Sequence, residues 1–162
     1  MDNLKKKINN CFISVNIQKD DFDVNTEIQS IGSIKKIGGI ANFIGVVRDS
    51  QNEKDELISL ELEHYPGMTE KAIMSICRDA LKRWKINFVS VIHRVGNLKP
   101  SVQIVFVGVS SKHRQNAFDG CNFIMDWLKT KAPFWKVEEN NNQKNWVSFD
   151  EKDNQALKKW QE

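Results

Sequence analysis

The chain has 162 residues, 40% of them hydrophobic and 28% charged, with a formal net charge of +3. That length suits one domain whose core needs no disulfide or metal staple, and so small a charge is no argument by itself for a nucleic-acid partner. Cys11, Cys77 and Cys121 are odd in number, widely spaced and free of any C-x-x-C. They argue against a disulfide framework or a zinc site, and without a signal-like or membrane-spanning apolar segment a cytoplasmic protein is expected.

Residues 1–10 read as a polar, basic lead-in, and Cys11 to Ile17 as a short edge strand. The acidic stretch up to Ile31 favours no single element. Gly38-Gly39 opens a buried strand from Ile40 to Val47, followed by a polar loop from Arg48. Leu57 to His64 alternates apolar and polar residues, as a half-exposed antiparallel strand does, and is expected to pair with the strand before it. Tyr65-Pro66-Gly67 turns the chain into a helix with Ala72, Ile73, Ile76, Cys77, Ala80, Leu81 and Trp84 on one stripe and Thr69 as its cap. Strands from Phe88 to Val95 and Gln103 to Val109 flank a turn rich in Gly and Pro.

A second helix, capped by Ser110 or Ser111, runs to about Lys131, with Ala117, Phe118, Cys121, Ile124, Met125 and Leu128 on its apolar stripe. Pro133 ends it. Glu139 to Asn145 reads as a flexible connection, Trp146 to Phe149 as a last strand, and Leu157 and Trp160 mark a short C-terminal helix. Strand pairs separated by helices predict an α+β fold with a largely antiparallel sheet. Residues 1–37 are a lead-in packed on a domain of residues 38–150, and residues 151–162 form a tail helix.

Lys129 and Lys136 flank a rigid apolar turn containing Phe134 and Trp135, where partial desolvation can tune an ammonium for chemistry, although most lysines simply keep a surface wet. Arg48 closes an apolar run with no helical salt-bridge face to explain it. His113 and Arg114 occupy a helix start, where the dipole disfavours cations, so an anion such as phosphate would settle that conflict. A pairing of both with surface carboxylates fits equally well. Cys77 and Cys121 fall on apolar stripes and His64 and His93 on strands, so all four read as structural. The common nucleotide-loop, zinc-protease and serine-hydrolase motifs are missing from the sequence.

Six runs occur in order: Gly45-Val-Val-Arg48, Glu63-His-Tyr-Pro-Gly-Met68, Val91-Ile-His-Arg-Val-Gly96, Ile104-Val-Phe-Val-Gly-Val109, His113-Arg114 and Leu128-Lys-Thr-Lys-Ala-Pro-Phe-Trp-Lys136. Together they resemble the large, catalytic subunit of molybdopterin synthase, from about Gly39 to Phe149. The resemblance implies an α/β-hammerhead fold and a sulfurtransferase of molybdenum cofactor biosynthesis that converts cyclic pyranopterin monophosphate (precursor Z) into molybdopterin. It implies that a small ubiquitin-like subunit delivers both dithiolene sulfurs from a C-terminal thiocarboxylate, within a heterotetramer built on a homodimer of large subunits. No cofactor or metal is implied.

Carried over residue by residue, the resemblance makes Lys129 the leading catalytic group and Lys136 the second, with Arg48 binding substrate. His113 and Arg114 become an anion-binding pair supplied by the neighbouring large subunit, and Val46, Val47, Val137 and Glu138 flank the substrate. Lys129 acts as base, as nucleophile or as protonated stabiliser, and the sequence does not choose. Ser101-Val102 stands where the family commonly has Gly-Asp, and residues 1–37 have no clear counterpart. A rival class is a non-catalytic module that binds a ubiquitin-like tail. A nucleic-acid module is weaker, because the five tryptophans are scattered.

Overall fold

A computed structural model of the chain describes residues 3–8, 11–49, 57–140, 144–146 and 151–160. Along the chain run β1 (Asn3–Ile8), β2 (Cys11–Gln18), α1 (Val24–Gly32), β3 (Gly39–Val46), β4 (Leu57–His64), α2 (Met68–Arg83), β5 (Ile86–Arg94), β6 (Gly96–Leu98), β7 (Gln103–Ser111), α3 (Arg114–Lys131), β8 (Phe134–Asn140), β9 (Lys144–Trp146) and α4 (Glu151–Lys158). The fold is α+β, as expected. Two sheets form, one in the order β1-β2-β5-β7-β3 and one in the order β6-β4-β8-β9. Among the described strands every pairing is antiparallel except β2 with β5.

The larger sheet is buried on both faces because its central strands are apolar at nearly every position, so alternation divides their side chains between two cores. On β5, Val89 and Val91 join the main core with α2 and α3, while Phe88 and Ile92 join a second core with Ile31 of α1 and Phe106 of β7. Cys77 and Cys121 lie in the main core, where burial pushes both thiols up to about 12 and leaves them uncharged. No helix among the described residues is long and apolar enough to cross a membrane.

Several sequence expectations change at the level of elements. Cys11 to Ile17 belongs to β2, which is interior; β1, within the stretch read as a lead-in, covers its edge. The ambiguous acidic stretch contains α1, whose Asp23 side chain accepts the Thr26 N–H at 2.6 Å as an N-cap. β4 does not pair with β3 but lies between β6 and β8 in the other sheet. Pairing by sequence proximity fails here because the inward row of β4, Leu60, Leu62 and His64, matches β8 instead. The segment after Pro133 is not just a turn: Phe134 starts β8, which runs through part of the stretch read as a flexible connection. β9 takes Lys144 and Asn145 from the expected flexible connection and only Trp146 from the strand expected at Trp146 to Phe149, the remainder of which lies outside the described residues.

Candidate active site

α3 carries Arg114 at its start and Lys129 in its last turn. The fifteen residue steps from one to the other rise 1.5 Å each, about 22 Å in all, so the two cannot meet in one pocket of one chain. β7 runs antiparallel to β3 and turns tightly into α3, which therefore returns alongside β3 in the same direction. The two begin together, since a Cβ placed on Gly39 would lie 3.9 Å from the Arg114 Cα. Arg48, just past the end of β3, thus falls at the Lys129 end of the layer. Its approach is fixed by two backbone bonds, Val47 N–H to Val102 O at 2.9 Å and Ser101 N–H to Val47 O at 2.8 Å.

The helix stops after Lys131 because Pro133 forces Ala132 into an extended conformation, φ −76° and ψ 123°. Thr69 then holds the turn rather than capping α2 with its side chain: its hydroxyl donates to Pro133 O at 3.1 Å and accepts the Tyr65 N–H at 3.0 Å. The α2 start is instead served by Glu70, which accepts the Gly67 N–H at 2.6 Å. On β8, residues two apart share a face. Phe134, Lys136 and Glu138 stand opposite His64, Leu62 and Leu60, on the inward row. Val137 and Trp135 face the other way, with Trp146 opposite Val137.

Lys136 is half-buried, whereas Lys129 and Arg48 are exposed. Desolvation by the apolar turn therefore reaches Lys136 in one chain and not Lys129. Trp135, expected beside the lysines, is exposed on the far face, and Phe134 alone of the two aromatics shares the row of Lys136. Val46 is exposed, while Val47 is buried.

At the other end of α3, His113 is the N-cap residue and makes no side-chain cap bond, and no acidic residue occupies the first turn. Ser111 does not cap the helix; its hydroxyl accepts the His113 N–H at 3.3 Å and donates to Lys85 O at 2.7 Å. His113 and Arg114 are both exposed. Phe118, expected on the buried stripe, is 60% exposed, and Phe43, Ile44 and Val46 of edge strand β3 are exposed as well. A hollow of about 230 Å³ between α2 and α3, lined by Asp79, Arg83, Phe123 and Trp127 among others, contains none of the candidate residues. No cluster of three or more His, Cys, Asp or Glu able to hold a metal ion occurs among the described residues.

His93 was missed as part of this region. It is buried on β5, its ring lies on Phe134 at 4.0 Å between centroids and 23° between planes, and its Nδ1 is 2.8 Å from Arg94 O. The signal available in the sequence was a histidine inside a largely apolar strand, which also fits a purely structural role.

These features define a class of mixed α+β subunit that carries amines at one end of a long helix and a basic start without a side-chain cap at the other. The model of the family described as "MoaE protein" matches residues 17–131. A relative from Vibrio cholerae, "Molybdopterin synthase catalytic subunit", is 46% identical over 147 residues, covering 91% of this chain and 97% of its own. A solved structure of the molybdopterin biosynthesis MoaE protein from Burkholderia ambifaria superposes with a TM-score of 0.77 at 46% identity, covering 90% of this chain and 96% of its own. A Helicobacter pylori structure, described as a complex of subunits 1 and 2 of molybdopterin-converting factor, shares the fold at 18% identity, with a TM-score of 0.69 and coverage of 83% and 90%. The chain belongs to the MoaE family, the catalytic subunits of molybdopterin synthase, sulfurtransferases of molybdenum cofactor biosynthesis.

Proposed function

We propose that this chain converts precursor Z into molybdopterin in the cytoplasm, as a homodimer that binds two small ubiquitin-like subunits and takes both dithiolene sulfurs from their thiocarboxylated C-termini. One observation carries the reading: the candidate basic residues are divided between the two ends of α3, about 22 Å apart. Arg48, Lys129 and Lys136 gather at one end, and His113 and Arg114 stand at the other. A phosphate-binding pair and a pair of amines then form one site only when a second copy supplies the missing half. The exposed Phe43, Ile44 and Val46 of β3, a strand at the end of its sheet, and the exposed Phe118 of α3 support such a contact, because apolar side chains on an edge strand favour association.

In this site His113 and Arg114 of one subunit hold the substrate phosphate through the Arg fork and the free N–H groups of the helix start. Lys129 meets the partner's terminal carbonyl, and Lys136 stands beside it on the inward row of β8. Arg48 adds a third cation at that end, and Val46 and Glu138 border the site. Val47 and Val137 shape the strands rather than touch substrate, since one is buried and the other faces away from Lys136. No thiol of this chain takes part, in keeping with the uncharged Cys77 and Cys121.

The test mixes the chain with a thiocarboxylated small subunit and precursor Z and measures dithiolene product. Product is expected from the native chain and none from Lys129→Ala, which should still dimerise and bind the small subunit. Tail binding by the native chain without product would leave only a binding module. Near-normal turnover by Lys129→Ala would remove Lys129 from the mechanism.

A further inference from the structure

Three of the runs in the sequence meet behind Lys136, and two of them have no part in the chemistry above. From the Glu63–Met68 run, His64 stands opposite Phe134 in the β4–β8 register, with its Nε2 3.5 Å from Oε1 of Glu70, which is 2% exposed. From the Val91–Gly96 run, His93 reaches across from the larger sheet and lies flat on Phe134. Phe134 and Lys136, from the third run, are two residues apart on one strand and so point the same way.

We propose that His93 is a positioning residue for Lys136: its ring clamps Phe134 and thereby fixes the start of β8 and the place of the amine two residues on. The proposal rests on the reading that Lys136 belongs to the active site. The clamp is rigid at both ends. A carbonyl only accepts, so the 2.8 Å contact with Arg94 O requires a hydrogen on His93 Nδ1 and sets the ring's tautomer and tilt. On the other side of the stack, Phe134 follows a turn that Thr69 holds at Pro133 O, and its own N–H donates to Ala132 O at 2.9 Å. Phe134 and Lys136 pair with His64 and Leu62 along the same inward row, so the amine lies on the clamp's side of β8. A loosened Phe134 would displace Lys136 with no direct contact to substrate broken, and small misplacements of a reacting group cost rate steeply.

The experiment uses the reconstituted complex and compares His93→Leu, His93→Phe, Lys136→Ala and the double variant His93→Leu/Lys136→Ala, each checked for thermal stability and small-subunit binding. His93→Leu removes the flat ring and should lower kcat about tenfold or more while the KM for precursor Z changes by no more than about twofold. His93→Phe keeps a flat ring against Phe134 and should recover most of that rate. In the Lys136→Ala background, His93→Leu should cause no further loss, because it acts only through the missing amine. An undiminished kcat in His93→Leu, or a full additional loss in the double variant, would overturn the proposal. If Lys136→Ala itself turns over normally, the reading that puts Lys136 in the site fails first, an outcome distinct from failure of the clamp alone.

Discussion

His93 also leaves a mark on stability, because a buried imidazole resists protonation. Burial, aided by the charges of Lys136 and His64 and opposed by the Arg94 carbonyl, lowers its pKa from 6.5 to about 4. Between those values the unfolded chain binds a proton that the folded chain refuses. This contribution of His93 to stability is therefore fully present above about pH 6.5 and is lost as the pH falls toward 4. The whole interval is worth about 3 kcal/mol at about 1.4 kcal/mol per pH unit. His93→Phe should abolish this share of the acid sensitivity, which urea midpoints at about pH 7 and about pH 4.5 would show as a smaller drop than in the native chain. An equal drop in both would mean that other groups set the acid limit. At a second residue the backbone itself is strained. Ser101 has φ 68°, in the left-handed region where a side chain is strained, yet its N–H must reach Val47 O to hold the approach to Arg48. Ser101→Gly should raise stability by about 0.5–1 kcal/mol, read as a higher denaturant midpoint with unchanged slope.

Among the elements, those whose sequence carries a clean period were legible and those defined by partners were not. β3, β4, α2, β5, β7 and α3 announce themselves through alternation, helical stripes or the stop at Pro133. β1 does not, because its run of three lysines breaks any apolar alternation, even though Ile8 at its end packs against the main core. The pairing of β4 with β8 was equally hidden, since residues 57–64 and 134–140 are far apart in the chain and only their matched inward rows identify them. Lys129, Lys136 and Arg48 were legible as candidates from their settings. Their separation from His113 and Arg114 is a property of helix length, already implied by a helix read from Ser110 or Ser111 to about Lys131 and fixed by α3. The start of α3 depends in turn on a close backbone approach. A Cβ on Gly38 would stand 2.3 Å from the Lys112 carbonyl oxygen, and the Gly38 N–H donates to Ser111 O at 2.9 Å. Gly38→Ala should therefore cost about 1–3 kcal/mol and shift the segment leading into His113 and Arg114. A lower melting temperature together with weakened precursor binding would fit. A stability equal to that of the native chain would show that the loop moves aside freely.

At the scale of the whole molecule, a site divided between copies makes a demand that no single-chain site makes. If Lys129 of one subunit works with Arg114 of its neighbour, Lys129→Ala and Arg114→Ala each disable both sites of their own homodimer. A mixed dimer of the two variants is different: one site carries both lesions and the other carries neither. Unfolding and refolding the two inactive variants together should regenerate activity, to about a quarter of the native rate if subunits pair at random, since half the dimers are mixed and half their sites are intact. A charge placed among the exposed apolar residues of β3, as in Ile44→Asp, should weaken the dimer and lower this recovery in proportion, with size-exclusion chromatography reporting the monomer fraction. Activity that stays at zero in verified mixed dimers would mean that each subunit's Arg114 serves its own Lys129 or none. The 22 Å that α3 sets between them would then have to be bridged by some route other than a second copy.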